Sequence, residues 1–336
     1  MAVRPDEGPW RQVTPAKFTA KTVTTLTFAG IDMPKLKIGT RGSPLALYQA
    51  NETKSRLKAA HGLSDEDIEI VVITTTGDRI RDRPLSEIGG KGLFTKEIEE
   101  ALFAREIHLA VHSMKDMPAR LPDGLVMAAL LPREDVRDAF LSPVAASIGD
   151  LAQGAVVGSS SVRRGAQLKR IRPDLEVIQF RGNVETRLKK LDDGVAQATF
   201  LAAAGLKRLG LADKITSLVP IDVMLPAVAQ GCIGIETRED DQGTRDLLAA
   251  INHEPSAIAV NCERAFLAAL DGSCRTPLAG HAVIDNGQVK FRGHALTVDG
   301  VHCFETVREG APADAARMGH EAGEQVKAEG GSLIAF

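Results

Sequence analysis

Between Ser159 and Lys190, nine lysines and arginines stand against three acids, a local excess of six positive charges in a chain whose net charge is -3. Their positions sort them. Lys169, Arg170, Lys189 and Lys190 fall inside helical runs and read as solvated faces. Arg163, Arg164 and Arg181 lie where an apolar strand turns into a helix, so free backbone N–H groups and the positive end of the helix dipole already favour an anion there. Ser159, Ser160 and Ser161 head the first of these helices and Asn183 the second, residue types suited to a helix cap. Arg41, Gly42 and Ser43 repeat the device earlier in the chain. Three basic turns at the C-terminal ends of strands point toward one crevice, the usual ligand position in open α/β sheets. The ligand should carry several negative charges, and arginine forks serve carboxylate or phosphate equally well. Ordinary helix caps with incidental arginines explain one such turn easily and three less well.

Other chemistry-bearing residues are scattered more thinly. The segment Ala110 to Pro118 passes from an apolar strand to a polar turn, so Asp116 emerges at a strand end beside Lys115. A carboxylate there can stabilise a cationic intermediate, handle a proton, or simply cap the turn. Lys91, between Gly90 and Gly92, is either a mobile lid cation or a solvated loop residue; its surroundings lack the GxxxxGK[ST] spacing of a phosphate loop, and residues 230–234 do not make GxGxxG. His108 and His112 share a face but no third ligand of matching type is near, so they read as core or second-shell histidines and no metal is expected. Of four cysteines, Cys262 and Cys303 fall in apolar helix and strand patterns and read as core, while Cys232 stays open. Cys274 sits in a loop beside Arg275, where a thiolate can be populated and act as a nucleophile.

These residues must be positioned by a fold. At 336 residues, with roughly 150 per domain, the chain should hold two or three domains. Hydrophobic and charged fractions of 44% and 25% are ordinary for globular proteins and exclude disordered, collagenous and disulfide-scaffold classes. The small net charge and the scarcity of aromatics, one Trp and one Tyr among them, argue against a nucleic-acid partner. No apolar run is long enough for a membrane span, no secretory signal opens the chain, and the four cysteines make no CxxC pair of a zinc knuckle or redox site and fit a reducing compartment, so a cytoplasmic protein is expected. Residues 1–34 read as a flexible extension. A strand at 36–40 is followed by Ser43 and Pro44, a cap with proline at the first helical position, and by a helix to about residue 60 closed by Gly62. A β-branched run at 68–76, a helix near 95–105 and a strand at 108–111 complete a first unit. Strands at 155–158, 175–180 and 199–203 alternate with helices before Pro173 and from Asn183 to about Asp193 in a second. Both predict mostly parallel, doubly wound sheets. From about His253 a helix at 256–270, three strands divided by turns at 285–287 and 298–300, and a helix after Pro312 predict an α+β domain with an antiparallel sheet.

Several separate stretches carry a more specific signal: residues 40–47 (TRGSPLAL), 89–94 (GGKGLF), 111–116 (VHSMKD), 158–164 (GSSSVRR), 181–184 (RGNV), 204–210 (AGLKRLG), 225–228 (LPAV), and 263–266 (ERAF) leading to Cys274. From about Leu36 onward the chain resembles the porphobilinogen deaminase (hydroxymethylbilane synthase) family of tetrapyrrole biosynthesis. The resemblance implies a transferase that condenses four porphobilinogen molecules head to tail, releases ammonia at each addition and frees the linear tetrapyrrole hydroxymethylbilane. It implies a dipyrromethane cofactor joined through a thioether to the loop cysteine, here Cys274, and no metal. Each pyrrole bears an acetate and a propionate, which accounts for the arginine turns. By the same carry-over Arg41, Ser43, Lys91, Lys115, Ser159, Ser160, Ser161, Arg163, Arg164, Arg181, Asn183, Arg187 and Arg208 bind cofactor or substrate, and Asp116 stabilises the azafulvene cation formed when ammonia leaves.

The implied fold has two doubly wound, periplasmic-binding-protein-like α/β domains, at 35–131 with 232–250 and at 137–225, and a smaller α+β domain at 254–336 that presents the cysteine loop. A monomer is expected. Ala229 replaces a glycine often found in the family, and Glu87 stands where some members carry lysine. The competing reading is a noncatalytic two-lobed anion-binding protein, against which the missing secretory signal and the Cys274 loop count.

Overall fold

A computed structural model describes residues 35–79, 92–271 and 276–334. The expected extension at 1–34, Glu87, Lys91 and Cys274 lie outside the described residues. In chain order the first part comprises β1 (Leu36–Thr40), α1 (Pro44–His61), β2 (Ile68–Val72), α2 (Thr76–Arg79), α3 (Lys96–Phe103), β3 (Leu109–Ser113) and β4 (Leu125–Leu130). There follow β5 (Asp138–Leu141), β6 (Val156–Gly158), α4 (Val162–Ile171), β7 (Glu176–Ile178), α5 (Val184–Asp192), β8 (Ala198–Ala202), α6 (Ala203–Arg208) and β9 (Ser217–Leu218). The chain ends with β10 (Ile233–Arg238), α7 (Gln242–Ala249), α8 (Glu254–Ala269), β11 (Leu278–Asp285), β12 (Gln288–Leu296), β13 (Cys303–Gly310) and α9 (Ala315–Gly330).

Local signals set these elements where the sequence places them. Ser43 holds an extended backbone and accepts from the Ala46 N–H at 3.3 Å, Pro44 opens α1, and Gly62 closes it in the left-handed region at φ 67°. Ser161 and Asn183 cap α4 and α5 in the same way. Strand β3 runs two residues beyond the expected end at Val111, because His112 and Ser113 keep pairing with β10.

Two five-stranded sheets share one plan. The first has the order β2-β1-β3-β10-β4 and the second β7-β6-β8-β5-β9; each holds three parallel strands followed by one antiparallel strand. The antiparallel strand is the part that the expectation of parallel sheets omitted. In each case it enters from the other lobe: β5 follows β4, and β10 follows β9.

The third sheet, β11-β12-β13, is antiparallel throughout and packs on α8 and α9. Asn286 and Gly287, both at positive φ, close its first hairpin as the sequence predicts. Its helix α8 also grips both crossovers between the lobes. The fully buried Glu263 carboxylate accepts from Arg133 Nη1 at 2.6 Å, from the Ala229 N–H at 2.6 Å and from the Ala282 N–H at 2.7 Å. Ala229 itself has φ 59°, the backbone conformation that favours glycine. Met114, Met117 and Leu130 of the first lobe share one apolar core with Phe266, Leu278 and Phe291 of the third.

Candidate active site

Each of the three basic turns is built, and each is engaged differently. At the first, Arg41 Nε lies 3.2 Å from both Asp78 carboxylate oxygens, and the guanidinium stacks 4.2 Å from the Phe94 ring centroid. Burial alone would raise the Asp78 carboxyl; hydrogen bonds from Arg41 and Thr75 outweigh it and hold the group below the ordinary range.

At the second, every serine already accepts one backbone N–H: Ser159 from Ser161 at 3.3 Å, Ser160 from Phe180 at 2.9 Å, and Ser161 from Arg164 at 3.4 Å. Their hydroxyl hydrogens remain available to a ligand oxygen. Arg163 and Arg164 are buried, and both reach Asp138 at the start of β5, with ion pairs of 2.8 and 2.7 Å. Gln230 Nε2 donates to the same carboxylate at 2.9 Å. Burial pushes the Asp138 carboxyl upward, and the two guanidiniums overcome that push and hold it well below the carboxylate range.

At the third, Asn183 accepts from the Thr186 N–H at 2.9 Å and Arg187 Nε donates to the Gly182 carbonyl at 2.9 Å. Burial, followed by the like charge of Arg164, pushes the Arg187 guanidinium down to about 10, against the pull of Asp116. Nη1 of Arg181 is buried with no hydrogen-bond partner. Of the remaining charges of the basic stretch, Lys190 Nζ donates to Arg181 O at 3.1 Å, while Lys189 pairs with Asp193 at 2.9 Å and Arg172 with Asp174 at 2.7 Å.

Lys115 and Asp116 face this surface from the first lobe. A single 3₁₀ turn, Met114–Asp116, ends β3; Met114 and Met117 are buried on either side, and Asp116 is exposed. Arg264 of α8, 1% exposed, steadies the exit of the turn by donating to Pro118 O at 2.6 Å. Burial pushes the Lys115 ammonium down to about 8, with Asp116 opposing and Arg164 adding to the shift. Asp116 and Arg164 thus act on both Lys115 and Arg187, one from each lobe. Lys115, Arg163, Arg164, Arg181 and Arg187 set five cations against the carboxylates of Asp116 and Asp138, an excess that calls for a ligand with several anionic groups. Arg41, Ser43, Gln49, Thr95, His112 and Asp116 line a pocket beside it.

Arg208 is braced within the fold: Nη2 donates to Gly231 O at 2.9 Å and Nε lies 4.0 Å from Glu52, so it ties α6 to the second crossover and to α1. One sequence expectation changes. Cys303 is half-buried rather than core, because it opens β13 at the edge of its sheet. Cys262 is buried as expected, and so is Cys232; burial pushes both thiols up to about 12. No described cysteine therefore has a thiolate-favouring setting. Cys274 lies between the C-terminal end of α8 and Thr276, and α8 is the helix that Arg264 ties to the Asp116 turn. Sequence reading missed Asp138, Asp78 and Gln230. The one local signal for Asp138 is an acid at the head of the apolar run Ala139 to Leu141.

A pH dependence follows from Lys115. Its positive charge is lost as pH rises through about 8, so KM for an anionic substrate should climb above that point. Lys115→Arg should move the rise to higher pH, and Lys115→Gln should raise KM about tenfold at pH 7 and flatten the profile, as expected for one charge-assisted hydrogen bond. KM measured from pH 6.5 to 10 checks this. Because the folded value lies below the unfolded one of about 10.4, this group makes folding more favourable as pH climbs between the two.

The family model "Porphobilinogen deaminase, dipyromethane cofactor binding domain" matches residues 36–246, and "Porphobilinogen deaminase, C-terminal domain" matches 257–328. The porphobilinogen deaminase of Paracoccus denitrificans is 60% identical over 292 residues, 87% of this chain and 93% of that protein. That of Nitrobacter hamburgensis is 54% identical over 294 residues, 88% of this chain and 93% of its own. Among solved structures, the methionine binding protein MetQ is similar at a TM-score of 0.42 and 16% identity, over 65% of this chain and 89% of that one. The chain, matched over most of its length by both family models and by these relatives, belongs to the porphobilinogen deaminase family.

Proposed function

We propose that the cleft between the two α/β lobes is where four porphobilinogen molecules are joined head to tail into hydroxymethylbilane, with Asp116 as its catalytic carboxylate. The observation that carries this reading is that cations from both lobes face Asp116, Lys115 beside it in the first and Arg187 of the second, with Arg164 acting on both of them. A chain of pyrroles bearing an acetate and a propionate on each ring is the polycarboxylate such a surface fits. The dipyrromethane cofactor, which we assign to Cys274, supplies when bound a covalent primer and an anionic anchor. The orphaned Nη1 of Arg181 and the free hydroxyl hydrogens of Ser159, Ser160 and Ser161 suit its carboxylates.

Within this reading the residues divide their work. Arg163 and Arg164, steadied by Asp138, present guanidinium edges to carboxylates without moving. Arg181 and Arg187 hold the same chain from α5 and its leading turn, with Asn183 fixing that turn. Arg41 and Ser43 line the pocket beside Asp116 and place the incoming ring, and we assign Lys91 to substrate binding as well. As ammonia departs, positive charge develops on that ring, and the Asp116 carboxylate, held at the tip of its turn, stabilises it electrostatically. Arg208 acts indirectly, through the crossover it braces. The domains are 35–131 with 232–250, 137–225 and 254–336, and the enzyme is a cytoplasmic monomer whose partner is porphobilinogen. Family membership sets aside a noncatalytic anion receptor.

Purified protein incubated with porphobilinogen should release four ammonia molecules per hydroxymethylbilane formed. Binding without ammonia release would contradict the assignment.

A further inference from the structure

Strand β3, which delivers Asp116 to the cleft, also carries a buried histidine that the roles above leave unused. His112 is 6% exposed, and its Nε2 lies 2.9 Å from Oε2 of Glu236 on β10, a carboxylate with no exposure. Glu99 of α3, 9% exposed, completes the set; burial pushes its carboxyl up, and it feels the charges of both Glu236 and His112. Oε1 of Glu236 and Oε1 of Glu99 are buried with no hydrogen-bond partner, and His112 Nδ1 makes no hydrogen bond among the described residues. Two carboxylates and an imidazole at this depth cost solvation that apolar neighbours such as Leu109 and Val111 do not. An imidazole with one nitrogen fixed on a buried carboxylate and the other bare is the arrangement of an oriented base. His112 lines the same pocket as Asp116.

The reaction needs such a base, on the reading given above. When ammonia has left, the new carbon–carbon bond forms at the α-carbon of the attacking pyrrole. The C–H bond there then breaks, its electron pair returns to the ring, and one proton must leave at every addition. We propose that His112, oriented by Glu236, is the proton acceptor of this step: the proton crosses the shared pocket by way of the Asp116 carboxylate to Nδ1 and passes to solvent before the next addition. The charged groups around His112 are Glu236 from β10, on which its Nε2 rests, Glu99 from α3, which feels its charge, and Asp116 and Arg41, which line the same pocket.

The test uses the cofactor-loaded enzyme and its His112→Gln and Glu236→Gln variants, with loading checked by mass. His112→Gln should lower kcat on the order of 10²-fold and leave KM within about twofold. Nitrogen-15 NMR of histidine-labelled holoenzyme should show one ring, absent in His112→Gln, protonated at Nε2 and bare at Nδ1. That assignment should hold in wild type and shift in Glu236→Gln. A kcat within threefold of wild type, or a proton on Nδ1 of the resting ring, would overturn the proposal. If His112→Gln does not fold, Glu236→Gln decides: lower kcat with KM kept upholds it, and wild-type kcat overturns it. Loaded wild-type enzyme that forms no bilane would instead strike the functional reading.

Discussion

Asp116→Ala should keep its cofactor, and so its added mass, while losing turnover by on the order of 10³-fold, the scale of removing one preorganised charge from a developing opposite charge. The split arises from position. Asp116 is exposed at the tip of a turn whose neighbours Met114 and Met117 are buried, so truncation removes a carboxylate without opening the core. Loading depends on the cations and on the cysteine loop, which the substitution leaves in place. Asp116→Glu keeps the charge but lengthens the arm, and should recover part of the rate. Rapid-quench turnover beside intact mass measures both halves. Undiminished turnover in Asp116→Ala would reject the role, and loss of loading would move Asp116 from the reaction to assembly.

Asp138→Asn should be the most damaging change to stability among the cleft residues. Asp138 is fully buried and is the carboxylate that Arg163 and Arg164 share, both of them nearly buried too. Removing its charge leaves two guanidiniums to repel each other away from water, a loss of about 3–5 kcal/mol. Asp193→Asn removes the exposed partner of Lys189 and should cost less than about 1 kcal/mol. Urea unfolding of the two variants beside wild type gives the comparison. Because the folded Asp138 carboxyl titrates below its unfolded value, its contribution is fully present above about pH 4 and is lost as pH falls further. Equal midpoints for the two variants would show that Asp138 does not hold the arginines in place.

What the sequence makes legible here is what is local. A strand end, a capping hydroxyl or amide and a cation fall within a few residues of one another, so the turns at Arg41 to Ser43, Ser159 to Arg164 and Arg181 to Asn183 can be read directly, and the helices they open begin where expected. The counterions cannot be read this way. Asp138 precedes Arg164 by 26 residues, Asp78 follows Arg41 by 37, and Glu236 follows His112 by 124; in each case the partner is supplied by sheet topology. The antiparallel strands β5 and β10 escaped for a related reason. They are short and buried throughout, with no alternation to mark them, and their neighbours lie across a lobe boundary. Arg208 shows the converse limit: its motif is legible, yet the fold turns its guanidinium to the Gly231 carbonyl. The net charge of -3 concealed a cleft where five cations meet two carboxylates.

The central claim is that this cleft works around a covalent pyrrole primer on Cys274, and intact mass tests it directly. Wild-type protein made in cells able to supply porphobilinogen should weigh more than its 35.8 kDa sequence by one dipyrromethane, and Cys274→Ser made alongside it should weigh no more than its sequence. Wild-type protein at the bare sequence mass, or Cys274→Ser with the full increment, would contradict the account.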